Sequence, residues 1–240
     1  MADFTNILFI DIETVPAQKS VEELSAELRN LWNDKVRLLQ SRMPDRFKED
    51  DNEESIYLRE AGIFAEFGRI VCISVGFFYR KDNQEFFREK SFYGSDEKQL
   101  LSAFSEMLSK VGNKVFCGHN IKEFDVPYIC RRMLINGLEL PACLNIAGRK
   151  SWEINILDTM DLWRFGDYKN YTSLKLLTAI FGIPTPKDDI DGSQVANVYY
   201  EDGDLSRIVS YCEKDVLATA RLYARYRGAA PIDDEFVEHA

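Results

Sequence analysis

Asp11 and Glu13 stand one residue apart at the end of the apolar run Leu8–Phe9–Ile10, and Pro16 closes the segment. The β-favouring lead predicts a strand. Alternation along a strand sends Asp11 and Glu13 to one side and Ile12 to the other. Two carboxylates held side by side repel each other unless a proton or a cation sits between them. At the end of a buried strand such a pair is half of a hard-cation site. A strand that merely emerges into solvent is the commoner account of an isolated Asp-x-Glu, so the assignment rests on what else the chain supplies.

Two further groups supply it. The segment Gly118–His119–Asn120–Ile121–Lys122–Glu123–Phe124–Asp125 falls where a strand gives way to a helix, the usual address for ligands in open α/β sheets. Alone, Asp125 reads as a helix N-cap, Asn120 as a turn residue and His119 as a hydrogen-bonded structural histidine. Tyr211 and Asp215 are four residues apart in a helical segment and share a face with Ile208, Thr219 and Leu222, which turns that face inward. An acid on a core-facing stripe needs a partner, either a lysine such as Lys214 or a metal shared with Asp11 and Glu13. Taken together, Asp11, Glu13, Asp125 and Asp215 make an oxygen-only donor set, which selects Mg²⁺ or Mn²⁺ over Zn²⁺. Two such ions roughly 3.5–4 Å apart can hold the attacking and leaving oxygens of an in-line phosphoryl displacement. Tyr211 adds a hydroxyl that could orient the attacking water.

The elements that must position these residues are readable in outline. After the first strand comes a charged excursion over 17–66, with Val21, Leu24, Leu28 and Leu31 at helical spacing. Arg46 to Glu54 reads as a loop or lid and Ile56 to Phe67 as a short helix, without a catalytic signature. Arg69 to Arg80 and Glu85 to Tyr93 are predicted to form a hairpin about Lys81–Asp82–Asn83. Ser95 is the expected cap of a helix whose apolar face carries Leu100, Leu101, Phe104, Met107, Leu108 and Val111, ended by Gly112. Lys114 to Gly118 is a short strand. Asp125 and Pro127 open a helix with Ile129, Cys130, Met133 and Leu134 inward, closed at Gly137. Glu153 to Leu157 reads as a strand ending at Asp158, followed by a helix over Thr172 to Phe181 and a polar loop from Pro184 to Gly203. Asp204 caps a last long helix to Tyr226. The acid-rich tail 229–240 is expected to be mobile. This order predicts an α/β fold with a mixed sheet flanked by helices, in one domain over 1–228.

Composition narrows the setting. The 240 residues are 45% hydrophobic and carry a formal net charge of −10. An acidic balance argues against a protein held on nucleic acid by bulk electrostatics, though a local basic groove remains compatible with it. The five cysteines are scattered and read as reduced thiols. The N-terminus has no basic segment followed by a long apolar one, and the richest apolar run, Ile70 to Tyr79, is too short to span a bilayer, so a cytoplasmic protein without a membrane partner is expected.

Phe9–Ile10–Asp11–Ile12–Glu13–Thr14, Asn120-x-x-x-Phe124–Asp125 and Tyr211-x-x-x-Asp215 resemble the three motifs of the DEDD 3′–5′ exonucleases, in the variant with a motif-three tyrosine. The run Gly118-His-Asn-Ile-Lys-Glu-Phe-Asp-Val-Pro-Tyr-Ile-Cys-Arg-Arg132 is similar to the proofreading domain of family B DNA polymerases. The resemblance implies a ribonuclease H-like fold and two bound Mg²⁺ or Mn²⁺ ions. It implies that Asp11 bridges them, that Glu13 and Asp215 complete one site, and that Asp125 holds the second ion partly through water. Tyr211 would position the nucleophilic water, Asn120 and Phe124 would contact the terminal nucleotides, and Ile12 and Thr14 would touch the last one. Asp158 ranks as structural. The excursion over 17–66 has no counterpart in the family pattern. No polymerase-like sequence follows the third motif, so a free-standing exonuclease is expected, acting on the 3′ end of DNA, single-stranded first, and releasing nucleoside 5′-monophosphates. RNA is the alternative substrate, and a non-catalytic nucleic-acid-binding module is the alternative of another class. Arg131, Arg132, Arg149, Lys150, Arg164, Lys169 and Lys175 are candidate phosphate contacts.

Overall fold

In a computed structural model, residues 3–112, 114–150, 153–167, 169, 171–184 and 190–240 are described. Their centre is strand β1 (Ile7–Pro16), which pairs antiparallel with β2 (Gly68–Lys81) on one side and parallel with β4 (Val115–Gly118) on the other. Outward from these lie β3 (Gln84–Tyr93), antiparallel to β2, and β5 (Ile156–Asp158), parallel to β4. With β6 (Val237–His239) parallel to β3, the sheet order is β5-β4-β1-β2-β3-β6. This is the mixed α/β sheet that the element order predicts.

Alternation along β1 divides the core. Leu8, Ile10 and Ile12 face α3 (Glu97–Lys110) and α4 (Asp125–Ile135) in one buried cluster with Leu101, Phe104 and Ile129. Ile7 and Phe9 face the opposite side, against Val216 and Ala220 of the long helix α8 (Leu205–Tyr226). Asp11 and Glu13 therefore inherit the α8 side from the pleat. At Glu13 the β1–β2 register shifts: Glu13 opposes Cys72 and Thr14 opposes Ile70. The bulge leaves Val71 as the extra residue, and Val71 and Cys72 both join the α8-side cluster around Ile208 and Cys212. Close approach of α8 to the sheet depends on Gly76, where an added Cβ would lie 2.3 Å from the Phe87 ring and 2.9 Å from Val216.

The excursion between β1 and β2 is folded. A 3₁₀ turn (Val21–Glu23) precedes α1 (Ala26–Arg42), and a second (Pro44–Arg46) precedes α2 (Glu53–Glu60), which Asn52 and Ser55 start with a reciprocal capping box. A third 3₁₀ turn, Ala61–Ile63, leads into β2. These pieces share a core of Val21, Trp32, Ile56, Tyr57, Ala61 and Phe67. The stripe Val21–Leu24–Leu28–Leu31 does not form one face. Ser25 caps the helix afresh, Val21 stays in its own turn, and the buried face moves to Trp32 and Leu39, leaving Leu28 and Leu31 41% and 50% exposed.

Other expectations shift in detail. The hairpin turn is Asp82–Asn83, both in left-handed backbone conformation (φ 51° and 65°), as a two-residue turn between twisted strands requires. Asp96, not Ser95, caps α3 by accepting from the Gln99 amide. Leu134 points outward and is 62% exposed, so the buried face of α4 is Val126, Ile129 and Met133. A helix that periodicity did not reveal, α5 (Thr159–Arg164), follows β5 directly, ahead of α6 (Leu174–Phe181). In the polar stretch 184–203, residues 185–189 lie outside the described residues, while α7 (Val195–Asn197) and a π turn (Val198–Asp202) precede the Asp204 cap of α8. Composition predicts a mobile tail over 229–240, but Val237–His239 pair with β3 and Glu238 bonds both Tyr79 and Arg88. Apolar Ile232 and Val237 pack on the α8-side core and anchor it.

Candidate active site

The C-terminal end of β1, the N-terminus of α4 and the middle of α8 converge. Asp11 and Glu13 project from β1 toward α8, and an oxygen of each lies within 4.8 Å of the other and of Cys212 Sγ. The Cys212 thiol donates to the Asp11 carboxylate and carbonyl, at 3.4 Å each. Burial pushes the Cys212 pKa well up, so the sulfur keeps its proton. From the opposite face of the strand, Asp125 Oδ1 accepts the Ile12 amide at 3.2 Å. That bond fixes the first turn of α4 against β1.

Burial is the main cause of a raised pKa at each of these acids. Asp11 is pushed well above the ordinary carboxylate range by desolvation and then by the charges of Asp125, Asp215 and Glu13. Glu13 is raised by desolvation, then by Asp215, Cys72 and Asp125. Asp125 rises to about 7, its desolvation only partly offset by backbone N–H donors. Asp11 and Glu13 form an acidic, oxygen-bearing group whose repulsion a hard cation would relieve, and the Cys212 thiol donates to it. Tyr211 lies one helical turn before Asp215 and hydrogen-bonds it; burial and then the Asp215, Glu13 and Asp11 charges hold the phenol protonated.

These acids open onto a cleft of about 390 Å³, lined by Asp11, Glu13, Asp125 and Asp215 together with Ile12, Thr14, Asn120 and Phe124. Tyr211 is not among the lining residues and meets the site through Asp215. Asn120 adopts a left-handed conformation (φ 64°), and its side-chain oxygen is buried without a hydrogen-bond partner among the described residues. Asp158 holds that loop in shape: it accepts the Asn120 and Lys122 amides and caps α5 through Met160. His119 is likewise structural, its ring bridging Thr159 and the Thr172 carbonyl at 2.9 Å, and burial lowers its pKa.

None of the seven candidate phosphate cations lines the cleft. Arg132 is buried in a pair with Glu97 (2.5 Å) and donates to the Ala65 carbonyl, so it braces α4 against α3. Arg164 is engaged by Asp161 and Glu123. Sequence reasoning missed Tyr171, Cys212 and a wall built by the excursion, namely Leu58, Arg59, Gly62 and Ile63. One signal for that wall was present. The chain entering β2 must run beside the end of β1, where Asp11 and Glu13 lie.

A family model described as a predicted 3′–5′ exonuclease related to the exonuclease domain of PolB matches residues 63–235. The chain belongs to that family of predicted 3′–5′ exonucleases, whose activity implies a nucleic-acid substrate. The matched span holds Asp125, Tyr211 and Asp215, while β1 and the excursion as far as Gly62 precede it. No curated protein matches the chain. Among solved structures, a family B DNA polymerase from the hyperthermophilic archaeon Pyrobaculum calidifontis is similar in fold, with TM-score 0.51 and 16% identity. The likeness covers 91% of this chain and 24% of that polymerase, and it assigns the ribonuclease H-like fold. Among the described residues, no helix is long and apolar enough to cross a membrane.

Proposed function

We propose that this protein is a two-metal-dependent 3′–5′ exonuclease that removes nucleotides from the 3′ end of DNA, single strands first, as nucleoside 5′-monophosphates. What supports this reading most is that four carboxylates from β1, α4 and α8 line one cleft, with desolvation and the charges of Asp125, Asp215 and Glu13 raising the Asp11 pKa. Asp11, Glu13 and Asp215 would hold one divalent ion, and Asp11 with Asp125 the other. Bound there, Mg²⁺ or Mn²⁺ supplies Lewis-acid polarisation of the phosphate and neutralises charge on the attacking and leaving oxygens.

The chain's own groups do the rest. Tyr211, a protonated phenol bonded to Asp215, orients the water whose oxygen attacks phosphorus. The bond from phosphorus to the penultimate nucleotide's O3′ breaks, and that oxygen takes a proton. Asn120 offers its buried, unpartnered carbonyl oxygen to a donor on the terminal nucleotide, and Phe124 with Ile12 and Thr14 encloses that nucleotide. These are positioning roles, and in such reactions positioning and electrostatics carry most of the rate.

The test is degradation of 5′-labelled single-stranded DNA and RNA oligonucleotides with Mn²⁺, Mg²⁺ or EDTA, beside an Asp11→Ala protein. A metal-dependent ladder shortening from the 3′ end of DNA, absent in the variant, is the expected result. Preferential RNA shortening would transfer the substrate assignment to RNA. Binding without shortening would make the chain a nucleic-acid-binding module.

A further inference from the structure

The excursion over 17–66 supplies a wall of the cleft, and on it stands Arg59, the one Lys or Arg among the described lining residues. The wall is fixed in place. Tyr128 of α4 donates to the Gly62 carbonyl at 2.8 Å, and the Gln18 amide donates to the Tyr57 hydroxyl at 3.2 Å. A Cβ at Gly62 would come within 3.2 Å of the Val15 backbone, so this turn packs directly on β1.

Asp51 and Glu60 hold the Arg59 guanidinium. Its Nη1 and Nη2 donate to the two Asp51 oxygens at 2.8 and 2.7 Å, and Nε donates to Glu60 at 3.0 Å. Those bonds use three of the five N–H groups of a guanidinium and fix its plane. The remaining two belong to an oriented, permanently charged donor. Arg59 lines the cleft from α2, whereas the carboxylates that would hold the scissile phosphate come from β1, α4 and α8, and the cleft must accept a chain with a phosphate at every nucleotide.

We propose that Arg59 binds a backbone phosphate other than the scissile one, which makes the 17–66 excursion the substrate wall of the enzyme. This rests on the exonuclease reading and deepens it. Asp51 and Glu60 set the strength of the contact: they orient the guanidinium and, with Glu60 shared with Arg46, offset its charge. An alternative is that Arg59 only clamps α2 to the loop before it.

The two accounts differ in sign. Steady-state kinetics in Mn²⁺ would be measured for wild type, Arg59→Ala, Arg59→Lys and Asp51→Asn. The substrates are a 5′-labelled oligothymidylate and the p-nitrophenyl ester of thymidine 5′-monophosphate, which carries only the scissile phosphate. Oligonucleotide affinity would be followed by anisotropy at several salt concentrations. For Arg59→Ala we expect the oligonucleotide KM to rise about tenfold, as for loss of one charged hydrogen bond, with a much smaller effect on the ester. The slope of log affinity against log salt should fall by about 0.7, as for one phosphate contact on a single strand. Arg59→Lys should restore part of the slope, and Asp51→Asn should tighten oligonucleotide binding. Equal losses on both substrates, with Asp51→Asn impaired like Arg59→Ala, would make Arg59 a clamp and overturn the proposal. Wild-type kinetics in Arg59→Ala would overturn it while leaving the exonuclease reading intact. A wild type that neither cleaves nor binds the oligonucleotide would remove both.

Discussion

Asp125 ties the site's electrostatics to something measurable in the metal-free protein. Its pKa in the folded state, about 7, lies above the ordinary 3.8, so the folded protein binds a proton that the unfolded chain has released. That contribution to stability is complete below pH 3.8 and is lost as pH rises through about 7. Asp11 and Glu13 shift in the same direction. In EDTA, the thermal midpoint should therefore fall between about pH 4 and 7. Asp125→Asn, which keeps the oxygen that accepts the Ile12 amide, should flatten that fall and raise the midpoint at pH 8 by several degrees. Millimolar Mn²⁺ at pH 8 should raise the wild-type midpoint by binding the folded form. Superimposable pH profiles for the two proteins would show that Asp125 titrates normally. Residues of this kind were legible because strand alternation and four-residue helical spacing put Asp11, Glu13 and Asp215 on predictable faces. Arg59 and Tyr171 were not, because a cleft wall assembled from distant segments leaves no period in the sequence.

At the level of elements, the α8-to-sheet approach sets how near Asp215 comes to β1. Gly76 permits that approach, and a methyl group there would meet Phe87 and Val216 well inside contact distance. Gly76→Ala should destabilise the fold by about 1–3 kcal/mol, the usual cost of overpacking a core. A urea midpoint equal to wild type would mean that the helix can move away without loss. The long helices and the β2–β3 hairpin were readable, since a broad apolar face or a turn-rich break at Asp82–Asn83 is a local signal. The start of α1 was not, because Ser25 competes with the apolar spacing and wins by capping. Strand β6 was unreadable for another reason. Its partner β3 lies far away in sequence, and three residues paired at an edge need no hydrophobic pattern of their own.

For the whole molecule, charge and fold pull in different directions. A net charge of −10 repels a polyanion, and the cleft concentrates four of the acids. Nucleic-acid binding should therefore depend on divalent ions rather than on a standing basic surface. Anisotropy of a labelled single strand should show affinity at least about tenfold higher in Ca²⁺ or Mn²⁺ than in EDTA at equal ionic strength. Equal affinity in EDTA would refute a metal-gated approach. The mixed α/β architecture was legible from element order, and the chain entering β2 had to pass the end of β1, yet which residues of the excursion face the cleft was not legible, since that follows from tertiary packing of Gly62 on β1 and Tyr128. The span of the site has a consequence for synthesis. Asp11 and Cys212 meet across 201 residues of sequence, and Asp215 arrives on the same helix. A chain emerging from a ribosome carries Asp11 and Glu13 early, and later Asp125, without the helix that completes the set. If the proposed site is right, nascent fragments lack Asp215 and the enzyme would be inert until α8 docks.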